Sequence, residues 1–171
     1  MSSKFWAGNV IKGHYNTLRS YRTEKIEFSS VFVNLLLSFF IAFGFIYSTV
    51  LIQSTAFFDL ILTFSILSIL LVTMMILLNN ILTSERMKDS DITDQKKIRL
   101  IIETLSNIQF SLLASISIVI VTLIMFILPI NIFFYSYVNM LGSFIIYYMT
   151  FVFFITLFMV MKRIHSITSH L

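Results

Sequence analysis

The chain has no cysteine, one proline, four glycines and little charge: Asp, Glu, Lys and Arg make up 12% of its 171 residues. Without cysteine there are no disulfides, thiolate metal sites or thiol nucleophiles. The scarcity of charge bears on class, because soluble domains carry about 25% charged residues. What replaces it is apolar: 58% of residues are hydrophobic, 19 of them Phe, and the mean hydropathy is +0.94. A chain this short cannot hide so much apolar surface in a core of its own. It calls for lipid as part of its solvent.

Catalytic patterns are missing too. There is no HExxH, no GxSxG and no phosphate-cradling glycine loop. His14, His165 and His170 lie outside the apolar runs, with no acid or nucleophile at a diagnostic spacing. Asp89, Asp91 and Asp94 raise the question of calcium. An EF-hand loop starting at Asp89 needs Gly at its sixth position and Glu at its twelfth, where this chain has Asp94 and Leu100. The expectation is a non-enzyme with no cofactor and no metal.

Gaps in the charge pattern mark the spans. No charged residue lies between Glu27 and Asp59, between Asp59 and Glu85, or between Glu103 and Lys162. The first two gaps fit one helix each, Ser30–Ile52 and Phe57–Leu82. The third is long enough for two spans of about 20 residues, placed at Gln109–Leu128 and Val138–Met161. Pro129 ends the earlier of these, and the Tyr and Phe residues after it suit a membrane interface. No cleavable signal is expected, because the first apolar run starts near Val31 and is too long for one. The predicted fold is all-α and integral to the membrane: four transmembrane helices as two hairpins, preceded by an interfacial amphipathic helix. Its parts are a cytoplasmic segment (1–29), a hairpin (30–82), a loop with a helix extension (83–108), a second hairpin (109–161) and a tail (162–171).

Orientation follows from the basic residues. Lys4, Lys12, Arg19, Arg22 and Lys25 precede the first span; Arg86, Lys88, Lys96, Lys97 and Arg99 lie between the second and third; Lys162 and Arg163 follow the fourth. The two short outer loops have none. The positive-inside rule therefore places both termini and the central loop in the cytoplasm of a prokaryotic inner membrane.

Two cytoplasmic segments carry the candidate docking residues. In HYNTLRSYRTEKIEF (14–28), Arg19, Arg22 and Lys25 alternate with aromatics. Upstream, Trp6, Val10, Ile11, Leu18 and Tyr21 fall on one side of a helical wheel, opposite Asn9, Lys12, Arg19 and Ser20. Such a helix can lie on the anionic inner leaflet, each basic side chain contributing about 1 kcal/mol. Glu24 and Glu27 dilute the patch, so direct nucleic-acid binding is not expected. The central loop predicts a helix start at Asp91 or Thr93, then Lys96, Lys97 and Arg99, and an apolar stripe through Ile98, Ile101, Ile102, Leu105 and Ile108. One helix from about Thr93 to Leu128 would project below the bilayer and pack against the N-terminal segment or a neighbouring subunit. Arg19, Tyr21, Arg22, Lys96, Lys97 and Arg99 are the expected docking surface for a soluble partner. Gly44 and Gly142 permit close helix approach, within a homo-oligomer for which a tetramer is favoured. Asp59, near the outer end of the second span, suits the helix N-terminus and is a candidate for sensing or ion passage.

The segment TLRSYRTEKIEFSSVFVNLLLSF (17–39) resembles a juxtamembrane pattern of small bacterial membrane proteins: a Leu-Arg pair, Arg-Thr, a basic residue, then an aromatic opening the first span. With its size, four spans and cytoplasmic termini, the chain is similar to the membrane subunit of the two-gene Kiwa anti-phage system. That resemblance implies an oligomeric inner-membrane sensor working with a soluble partner, which itself acts on nucleic acid. It brings no catalytic residues. Two other functions fit the composition: an oligomeric channel or pore, and a small transporter or flippase.

The charge pattern makes a topological prediction. Reporter fusions after Leu171 and within 85–97 read cytoplasmic, and fusions within 54–56 and 133–137 read external. A C-terminus on the outside would require three or five crossings instead of four.

Overall fold

The computed structural model describes residues 6–17, 32–48, 50–87, 92–128 and 135–168. Among these the chain is helical with no strand. A short helix α1 (Trp6–Thr17) comes first. A π-helical turn (Phe32–Leu37) runs into α2 (Ser38–Tyr47). Three long helices follow: α3 (Ala56–Met87), α4 (Ile92–Ile127) and α5 (Tyr135–Thr168). These three are long and apolar enough to cross a membrane.

α4 is the central helix, flanked by α3 on one side and α5 on the other, with α1 against its start. Its buried stripe explains why. Ile101, Thr104, Ile108, Ser111, Ser115, Ile118, Thr122 and Met125 are all buried. Their spacing alternates three and four, the seven-residue repeat of helices that wind around each other left-handedly. Both neighbours keep the same period: Phe57, Phe64, Leu71 and Leu78 on α3, and Ile146, Phe153 and Val160 on α5. Half of the α4 stripe is Ser or Thr. In lipid an apolar side chain gains little by leaving the hydrocarbon, so small residues and inter-helix hydrogen bonds hold helices together. The Ser68 and Ser115 hydroxyls, 2.8 Å apart, join α3 to α4 in this way. Thr104, Thr122 and Thr156 donate to the carbonyl one turn back, hiding their hydroxyls within their own helices. The outer surface is apolar, with Phe58 63% and Phe158 68% exposed.

The long α4 starts at Ile92, within a residue of its expected position, and runs unbroken to Ile127. α3 and α5 run several residues past their expected C-terminal ends. The first apolar stretch departs from expectation in two ways. Its packing partner is α5, where an edge-on Phe39–Phe144 pair and a stacked Phe45–Tyr147 pair lie over the buried Ser38 and Ala42. The expected first hairpin therefore joins segments whose broad contacts are made elsewhere, α2 on α5 and α3 on α4. Its helix also stops at Tyr47 instead of Ile52. Ile52 is buried, and its backbone N–H donates to Ser143 Oγ on α5 at 3.1 Å. The side-chain hydroxyl thus satisfies a backbone donor freed where the helix ends.

The two glycines differ. A methyl group at Gly142 would collide with the side chain of Met125, so here α5 presses against α4 within one chain. At Gly44 it would meet nothing within 4 Å. We predict that Gly142→Val lowers unfolding stability by about 1–3 kcal/mol, the usual cost of overpacking, in a denaturant titration of the detergent-solubilised protein. Combining it with Met125→Ala should recover part of that loss, and Gly44→Ala should cost nothing.

Candidate functional site: a polar junction of three helices

Polar chemistry concentrates at the end of the bundle opposite the α4–α5 connection. Glu103 lies about 36 Å along α4 from Ile127, and Asn107 about 30 Å. The hydrocarbon core is about 30 Å thick. With Ile127 at one face of it, Asn107 sits at the other boundary and Glu103 beyond. This end also carries Lys12, Lys97, Arg99, Lys162 and Arg163.

α1 meets α4 here, using Val10, His14 and Thr17, which follow one another at helical spacing and are all buried. The His14 ring lies parallel to the Phe110 ring, with centroids 4.0 Å apart. His14 Nδ1 is 2.9 Å from Asn107 Oδ1. An amide oxygen only accepts, so Nδ1 carries the hydrogen and donates. Thr17 Oγ1 is 2.8 Å from the same oxygen and 2.7 Å from the His14 carbonyl. Its single proton serves one acceptor at a time. From α5, Arg163 Nη2 donates to the Thr17 carbonyl at 2.8 Å. That carbonyl belongs to the last residue of α1, so the guanidinium caps the helix at its negative end. Arg163 also faces Glu103 Oε2 at 3.5 Å, and Arg99 Nε donates to Glu103 Oε1 at 3.1 Å. The contacts run from Arg99 through Glu103, Arg163, Thr17 and Asn107 to His14.

Two effects compete over the charge on His14. Burial disfavours imidazolium, and the positive Arg163 adds to that; the hydrogen bond to Asn107 opposes them. The Phe110 face would also favour a cation, by about 0.5–1 kcal/mol at exposed sites. For fully buried groups desolvation is worth several pH units. Desolvation wins, His14 titrates below its ordinary value, and the ring is neutral near pH 7. The junction also carries a cost. Asn107 Nδ2, Ser111 Oγ and Arg163 Nη1 are buried without a hydrogen-bond partner, and such groups cost about 1–3 kcal/mol each.

An open groove of about 450 Å³ adjoins the junction, lined by Gly13 and Thr17 of α1 and by Gln95, Arg99, Glu103 and Ser106 among residues of α4. Of the expected docking residues, Arg99 borders this groove and Lys97 is half-buried on the same helix. Arg19, Tyr21 and Arg22 lie outside the described residues, as does the Lys96 side chain. Asp59 is exposed in the first turn of α3, and Gly44 and Gly142 lie in the bundle away from the junction.

Two features of the N-terminal helix were not anticipated from the sequence. Its inward face is Val10, His14 and Thr17, whereas Ile11 is 39% exposed. The polar side is inward because α4 offers Asn107 as a partner. His14, which has no acid or nucleophile at a diagnostic spacing in the sequence, is among the most buried side chains. Its partners Asn107 and Phe110 are more than 90 residues away in sequence, so no local spacing reveals them. The available signal was Asn107 itself, a strong hydrogen-bonding amide beside the apolar stripe of a membrane helix. Among the described residues no group of three or more His, Asp and Glu is placed to hold a metal. The chain matches no family profile, no curated protein and no solved structure.

Asn107 bonds both His14 and Thr17, so Asn107→Ala should loosen α1 without disturbing the long helices. We expect amide hydrogen exchange in residues 8–17 to speed up about 5- to 150-fold, equivalent to roughly 1–3 kcal/mol. Exchange in 110–125 should stay unchanged. Unaltered exchange in α1 would show that these hydrogen bonds do not hold it.

Proposed function

We propose that the chain is a non-enzymatic sensor or scaffold subunit of a prokaryotic inner membrane that recruits a soluble cytoplasmic protein. The observation that carries this reading is the groove formed by α1 and the start of α4. It offers a guanidinium, a carboxylate, an amide and hydroxyls beside Ile98 and Ile102, the mixture that suits a protein surface.

In this reading the chain crosses the membrane four times, as two hairpins in sequence, with the polar junction cytoplasmic. The helical run of 6 + 10 residues through α2 is about 24 Å long, the shortest span. A bilayer absorbs a mismatch of a few ångströms at fractions of a kcal/mol per Å. Its position along α5 supports insertion beside the other three. The exposed aromatic and aliphatic girdle is met by lipid and by further copies of the chain, a tetramer being favoured. The open surface at Gly44 admits a close approach between copies. The resemblance to the Kiwa membrane subunit favours an anti-phage role, in which the recruited partner acts on nucleic acid and this chain does not. Asp59, exposed at the outer end of α3, is available to an outside event.

Arginine at the docking face distinguishes recognition from simple attraction, because its planar five-donor fork is not reproduced by Lys. The test is a pull-down of the soluble protein encoded beside this gene, with variants checked for normal membrane level. Arg19→Lys/Arg22→Lys and Arg99→Lys should each weaken capture at least tenfold. Full retention by these and by the corresponding Ala variants would sink the docking reading. Depolarisation of cells expressing this chain alone would favour a pore.

A further inference from the structure

We propose that the contact of α1 with α4 and α5 is a proton-sensitive latch: protonation of His14 releases the N-terminal helix from the bundle. The inference concerns this chain alone and stands whether or not a soluble partner is recruited.

Three observations carry it. First, directional polar contacts hold α1. Among its described side chains Val10, His14 and Thr17 are buried, and His14 and Thr17 both bond Asn107. Second, His14 is 1% exposed and flat against Phe110, so an added charge on the ring has little access to water while α1 is docked. Third, the guanidinium of Arg163 sits on the carbonyl of Thr17, one turn along α1 from His14. A second cation there repels the first.

The surrounding groups leave His14 as the one that changes charge in the neutral range. On α4, Glu103 is already engaged by Arg163 and Arg99. On α5, Arg163 stays positive throughout that range. On α1, Tyr15 has its ring edge-on at 5.6 Å, and burial raises its titration above the ordinary phenol range, so it stays neutral. His165 on α5 is a second imidazole at this end of the bundle, and the experiment removes it.

The sign follows from linkage. Docking lowers the proton affinity of His14, so the docked state binds fewer protons than the released one. Docking strength is then constant above about pH 7.5. It falls as pH drops through the free-histidine value of about 6.5, by up to tenfold per pH unit, and levels off below the docked value. Acidification of the basic side of the membrane opens the latch.

The absence of cysteine makes the test direct. Spin labels at Asn9→Cys on α1 and Gln95→Cys on α4, both exposed positions, report their separation in the full chain in nanodiscs. A background of His165→Gln and His170→Gln leaves His14 as the only imidazole, since the chain has three. Between pH 8.5 and 5.0, a second, longer distance should grow up to tenfold per unit below about pH 6.5. His14→Gln, which keeps an amide donor but cannot charge, should abolish this response. Asn107→Asp sets a carboxylate against the ring and should reverse it, so that mild acid tightens docking. If His14→Gln is undocked at every pH, reversal by Asn107→Asp decides in favour of the latch, and its failure decides against. A wild-type distance that does not change with pH would overturn the proposal, as would an acid response that survives in His14→Gln.

Discussion

Everything in this bundle depends on the buried stripe of α4. A helix in lipid gains almost nothing by trading hydrocarbon for an apolar neighbour, so the number of Leu and Phe residues does not explain why these helices associate. Fit does. The α4 stripe alternates Ile with Ser and Thr, and its small members let α3 and α5 approach closely along its length. The bare backbone at Gly142 does the same from the opposite side. Because α3 and α5 both follow the α4 repeat, their positions relative to each other are set as well. Phe64 and Phe153 then meet edge-on with centroids 5.5 Å apart. α2 attaches to α5 through aromatic pairs beside its buried Ser38 and Ala42.

Polarity is arranged by depth. Within the span, the hydroxyls of Ser115, Ser117, Thr122 and Thr156 bond carbonyls of their own helices, and Ser111 Oγ has no partner. At the boundary the arrangement changes. Asn107, Glu103 and Arg163 form contacts between elements, and Asn107 Nδ2 and Arg163 Nη1 lack partners. A fully apolar joint would avoid that cost, and replacing buried ion pairs by apolar groups is often neutral or stabilising. The polar joint is therefore not explained by stability. It makes one geometry of α1 preferred over others.

The legible parts of the sequence were those with a local signature. Acids followed by bases at 91–99 and an unbroken apolar stripe gave α4 to within a residue at each end, although its first turns precede any charge gap. Gly142 was legible as a point of close approach. The partner of α2 was not, because short loops argue for neighbours in sequence, whereas aromatic packing and the Ser143 hydroxyl drew that segment to α5. The junction was not legible either. His14 was read beside its chain neighbours, and its chemistry comes from Asn107, Phe110 and Arg163 on two other helices. A helical wheel ranks residues by hydrophobicity and so does not single out His14; its hydrogen bond to Asn107 turns it inward.

The inward placement of His14 bears on what α1 is for. An amphipathic helix at a membrane surface is comfortable almost anywhere in the interface, since Ile11 finds apolar contact in lipid as readily as in protein. Apolar burial therefore discriminates poorly between a docked helix and one floating on the leaflet. Hydrogen bonds do discriminate, because Asn107 Oδ1, the Arg163 guanidinium and the Phe110 face exist in one place only. The preference of α1 for the bundle is then the small difference between a few polar contacts and the desolvation they require. Differences of that size, about 1–3 kcal/mol, are within reach of one proton or one protein partner. The apolar stripe of α4 makes the bundle persist; the polar joint at its end leaves one helix free to respond.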